Sequence, residues 1–167
     1  MRTLILLCLV AFLGSGNLMA QDFDYVGAKK CKMCHNKSAT GAQYTQWSET
    51  KHAHAMESLS AAEAKDPACI ACHSTYGGVD EDLIAGLTLA EGVSCESCHG
   101  AGSGYFPPAV MKSREKSLAK GLVLPTKEVC IKCHNDKSPI SKDLIMKSML
   151  RKSHILKRPL KNLFNGI

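Results

Sequence analysis

CKMCH at residues 31–35 sets a pattern that the chain repeats three more times, as CIACH at 69–73, CESCH at 95–99 and CIKCH at 130–134. Each unit holds two cysteines three positions apart and a histidine directly after the second. On a helical turn, positions i, i+3 and i+4 share one face. Two thiols so placed can add to the two vinyl groups at one edge of a haem, which leaves the histidine facing the iron. The spacing therefore predicts four covalently attached c-type haems. Cys31 and Cys34, Cys69 and Cys72, Cys95 and Cys98, and Cys130 and Cys133 would supply the thioethers. His35, His73, His99 and His134 would be the proximal iron ligands.

Two other readings of paired cysteines fit less well. Structural zinc needs no histidine immediately after each pair. A thioredoxin-like redox site would occur once and inside a βαβ pattern, which is missing here. Eight cysteines in an exported chain would otherwise suggest four disulfides, but the regular spacing argues against it.

Export itself is expected from the first 20 residues, MRTLILLCLVAFLGSGNLMA. Arg2 precedes an apolar run from Leu4 to Leu13, and small residues follow up to Ala20, the order of a secretory signal peptide. The run is too short to span a bilayer. Taking away 20 of the 167 residues leaves a single domain at 21–167 with eight of the nine cysteines. Arg2 goes with the leader, so 20 of 21 basic residues face 15 acidic ones, a net charge of +5. The basic residues are scattered, which speaks against a nucleic-acid partner. No later apolar stretch reaches membrane length, so no integral membrane segment is expected after cleavage. The expected location is periplasmic or extracellular, where c-type attachment is made.

Aromatic residues make up only 5% of the chain, so haem would have to fill most of the interior. A mainly α fold is expected, with short helices and loops wrapped around four haems and little or no β structure. Residues 39–59 read as one amphipathic helix, with Tyr44 and Trp47 packing on a porphyrin face. Residues 74–94 and 100–108 read as loops. A basic helix is expected over Ala109–Lys120 with Gly121 as its stop, and Thr126 as cap of the helix carrying the fourth motif. A last helix is expected to begin after Ser141 and end before Pro159, with Leu150 and His154 on one face.

Only His52, His54 and His154 remain for the distal side of the irons. Four haems with two histidines each need eight, and the chain has seven. On a helix, residues two apart differ by about 200° around the axis. His52 and His54 therefore cannot serve one iron but can serve two. Met33, Met56, Met111, Met146 and Met149 are further candidates, although methionine in a small protein more often packs.

The stretches KKCKMCH, TKHAHAMESL and GVSCESCHGAG resemble the cytochrome c-554 family of tetrahaem electron carriers, across most of residues 26–135. The resemblance implies haems stacked in close pairs, three irons with two histidines and one five-coordinate. It implies His52 as a distal ligand, His154 as the C-terminal one, and the open iron at His73. This chain departs from the family example in having no histidine between residues 100 and 133, and in having His54 where the example has lysine.

The function expected is electron transfer between redox protein donors and acceptors, not catalysis. Lysines such as Lys29, Lys30, Lys112 and Lys116 would steer an acidic partner. The alternatives are a reductase for a small ligand such as nitric oxide or nitrite at an open iron, with Tyr76 or Tyr105 nearby, or a subunit of a haem-conducting polymer.

Overall fold

The computed structural model describes residues 22–135 and 138. The expected leader, the C-terminal helix and His154 lie outside the described residues. Among the described residues, seven short α-helices are joined by turns and loops: α1 (Ala28–His35), α2 (Gln43–Ser48), α3 (Pro67–His73), α4 (Cys95–His99), α5 (Pro108–Met111), α6 (Arg114–Ala119) and α7 (Lys127–Ile131). Among the described residues there is no strand, only an isolated parallel bridge between Tyr25 and Ile84. The fold is mainly α, as the motif spacing predicts.

Four apolar residues, Val26, Ala28, Leu87 and Tyr105, form the buried hydrophobic core of the described residues. Buried apolar area is the main favourable term in folding, and four side chains supply little of it. Met33, Phe106, Leu118, Val123 and Ile131 stay exposed. A body so poor in apolar core, with cysteine pairs on its helices, has the composition of a shell around a large apolar group.

The helix expected over 39–59 is broken. A 3-10 turn at Ser38–Thr40 is followed by Gly41 and Ala42, both with positive φ, before α2 begins. Beyond Ser48 the side chains take the carbonyls that a longer helix would use. Ser48 Oγ donates to Thr45 O (2.8 Å), Thr50 Oγ1 to Trp47 O (2.7 Å), and His54 Nε2 to Ser48 O (2.9 Å). Such side-chain bonds compete with helix continuation. Residues Ala55–Ser58 then form a second 3-10 turn.

The basic helix expected over Ala109–Lys120 is likewise two helices. Pro108 opens α5, and Ser113 starts α6 by accepting from Lys116 N at 3.3 Å. Gly121 follows α6 with φ 93°, the stop expected there. Thr126 does precede α7, but its side chain makes no capping bond to the helix backbone. The expected loop at 74–94 contains three 3-10 turns, at Tyr76–Gly78, Glu81–Leu83 and Leu89–Glu91. It closes onto the N-terminal segment, where Tyr25 N donates to Leu83 O (2.7 Å) and Ala85 N and Gly86 N donate to Tyr25 O (3.0 Å each).

Candidate haem-binding site

Each cysteine pair is carried by a helix whose end places the histidine. His35, His73 and His99 are the last residues of α1, α3 and α4. His134 lies just past α7, but its N–H still bonds Cys130 O at 3.0 Å, so the chain keeps the same helical pitch there. Asp66 caps α3 by accepting from Ala68 N at 2.8 Å, with Pro67 at the first helical position. None of the eight described cysteines is in a disulfide.

The thiols of different motifs approach one another in pairs. Cys31 hydrogen-bonds Cys95, which pushes the Cys31 thiol up and the Cys95 thiol down. Burial raises Cys133 to about 11, with the Cys72 thiol adding to the shift. Burial also raises Cys98, with Cys130 next to it. The first motif thus sits on the third and the second on the fourth, while the third and fourth also touch. Thr75, just after the second motif, bonds Ser94 Oγ (3.0 Å) and Ser97 Oγ (2.6 Å) around the third.

Three of the four motif histidines are held through Nδ1 by an oxygen acceptor. His35 Nδ1 meets Gln43 Oε1 at 3.3 Å, His73 Nδ1 meets Ala55 O at 2.9 Å, and His99 Nδ1 meets Val123 O at 3.1 Å. A carbonyl oxygen only accepts, so Nδ1 carries the proton and Nε2 keeps its lone pair. That tautomer and that fixed ring are what a metal-ligating histidine needs. The sequence pattern picks out the four motif histidines but not these anchors. Gln43 is eight residues from its histidine, Ala55 eighteen and Val123 twenty-four.

His52 and His134 face each other with ring centroids 5.9 Å apart and planes tilted by 47°. An ion bonded to one nitrogen of each ring needs centroids about 6 Å apart, given metal–nitrogen bonds of about 2 Å. Burial lowers the His52 pKa, and His134 lowers it further, so the ring is held neutral. Among the described residues the His52 ring has no hydrogen-bond partner. Its backbone is fixed by Val93 N, which donates to His52 O at 2.9 Å beside Gly92. Gly92 has φ 62°, and a Cβ there would lie 2.6 Å from His52 O, so only glycine fits that approach.

His54 is different in every respect. It is exposed, its Nδ1 donates to Glu57 Oε1 at 2.8 Å, and its Nε2 donates to Ser48 O at 2.9 Å. The Glu57 carboxylate, then the Ser48 carbonyl, raise its pKa. In the cationic form that these two acceptors favour, the ring has no lone pair for a metal. Trp47 and Tyr44, expected to lie on a porphyrin face, pack on each other with centroids 5.3 Å apart, and Trp47 Nε1 donates to Val93 O at 2.9 Å.

Paired thiols, imidazoles anchored through Nδ1 and a sparse apolar core among the described residues fit covalently bound haem, and define a c-type cytochrome. A family profile described as cytochrome c554 and c-prime matches residues 30–100, which contain the first three motifs. The chain is 35% identical over 153 residues to "Cytochrome c-554" of Nitrosomonas europaea, a match that covers 73% of this chain and 62% of that protein. No solved structure matches. Residues 30–100, with the first three motifs, belong to the cytochrome c-554 family.

Proposed function

We propose that the chain is a tetrahaem c-type cytochrome, exported to the periplasm or cell exterior, that passes electrons between redox proteins. Haem supplies the one-electron chemistry when bound, and the protein sets spacing, ligation and exposure. The observation that carries the reading is the pairing of the attachment sites. Cys31 lies against Cys95 and Cys72 against Cys133, so four groups attached there would sit in close pairs. The similarity to a protein named cytochrome c-554 supports the same reading, though the chain spans 62% of that protein's length.

The geometry also supports a ligand set. His35, His73, His99 and His134 take the proximal positions, and His52 takes the distal side of the group held by His134. His154, outside the described residues, serves one more. His54 stays outside the set, because both of its nitrogens are engaged by oxygen acceptors, Glu57 Oε1 and Ser48 O. Two irons are then left without a second histidine from this chain. No helix among the described residues is long and apolar enough to cross a membrane.

A reductase would need a proton donor over an open iron. The Tyr105 hydroxyl is buried and donates to Gly100 O at 2.8 Å, which favours electron transfer over a reductase that uses that hydroxyl. Mass spectrometry of the secreted protein tests the proposal. The mature chain should carry the mass of four haems, and fewer would contradict it.

A further inference from the structure

The helix of the first motif has no cap of its own. Gly27 stands at its N-terminal boundary without a side chain, and the first N–H groups of a helix have no partner within it. Two carboxylates from the segment of the third motif satisfy them. Glu96 Oε2 accepts from Gly27 N at 2.8 Å, and Glu91 Oε2 accepts from Ala28 N at 2.8 Å. Glu96 Oε1 accepts twice more, from Val26 N at 2.9 Å and from Gly102 N at 2.7 Å. Glu96 is 1% exposed and lies between the two cysteines of its own motif. Among the described residues, neither carboxylate has an ion-pair partner. The positive end of α1 is the charge they meet.

Resting on the tetrahaem reading, we propose that Glu96, assisted by Glu91, is a positioning residue that fixes the first and third haems relative to one another and so sets the electron coupling and the potentials of that pair. The clamp seats α1 one turn before Cys31 and holds that cysteine against Cys95. It also pins Gly102, where a Cβ would lie 2.7 Å from Glu96 Oε1, so the loop leaving the third motif closes on the same carboxylate. Burial pushes the Glu96 carboxyl up while its three backbone donors favour the ionised form, and in that form its charge would favour the ferric state of the pair.

The test compares the holoprotein with E96Q, E91Q and, as a control, S113A, which removes a helix cap far from the motifs. Mass spectrometry first counts haems in the unmutated protein, and a count below four sinks the tetrahaem reading before any variant is compared. Soret circular dichroism then reads the coupling between stacked haems, and a potentiometric titration reads their potentials. E96Q is expected to keep its haems, lose couplet amplitude and shift two of the potentials upward. E91Q should move both readouts the same way by less, and S113A should move neither. An E96Q protein with unaltered couplet and potentials overturns the proposal. If E96Q does not accumulate, unaltered readouts in E91Q overturn it equally.

Discussion

His52 and His54 stand two positions apart, and their surroundings separate them completely. One is half-buried, neutral and opposite a motif histidine; the other is exposed, with its pKa raised by Glu57 and a carbonyl. Replacing His52 by alanine should remove one two-histidine haem, seen as the loss of one low-spin ferric signal. Replacing His54 by alanine should leave the count of such signals unchanged. A lost signal in H54A would place that ring on an iron. The His54 pKa is raised in the folded protein, so its bond to Glu57 stabilises below the ordinary histidine pKa and fades as pH rises through the folded value. In E57Q the His54 ring should titrate at lower pH than in the unmutated protein, measured by its NMR resonances. For Glu96, three backbone donors converge on one side chain. E96Q leaves at least one buried N–H facing an amide donor, which costs about 1–3 kcal/mol, and denaturant unfolding would show it.

At the scale of elements, what can be read from sequence divides by range. The four motif helices follow from the i, i+3, i+4 spacing, which is local chemistry. The amphipathic pattern over 39–59 is also real, since Tyr44 and Trp47 do share a packed face. It fails as a helix because Gly41 and Ala42 take positive φ and because Ser48, Thr50 and His54 claim its carbonyls. Those choices depend on where the chain must deliver His52. Glu96 was visible in CESCHG, but its partners at Val26 and Gly27 are 70 and 69 residues away, beyond any local pattern. Gly92 joins the two ranges, since its conformation allows Val93 to bond His52. G92A should cost about 1–3 kcal/mol through backbone strain alone. It should also weaken the low-spin signal that depends on His52, whereas a normal spectrum with normal stability would show that the approach is not needed.

For the whole molecule, the thin core is the governing fact. Among the described residues, four buried apolar side chains offset little of the chain entropy, and on the proposed reading attached haem completes the interior. A chain kept from haem attachment, by expression without residues 1–20, should show little cooperative unfolding in thermal circular dichroism. A sharp two-state transition in that apo chain would contradict the shell picture. The chain's aromatic content of 5% already hinted at this, but the order in which the motifs meet did not show in the sequence. First against third and second against fourth is a product of long-range contacts among helices and turns.

The most direct measurement is a quantitative electron paramagnetic resonance spectrum of the ferric holoprotein with haem content fixed by mass. With seven histidines, four of them proximal and His54 engaged by Glu57 and Ser48, no more than two haems should give a two-histidine low-spin signal. Three or four such signals would contradict the account and return His54, or a histidine from another molecule, to the irons.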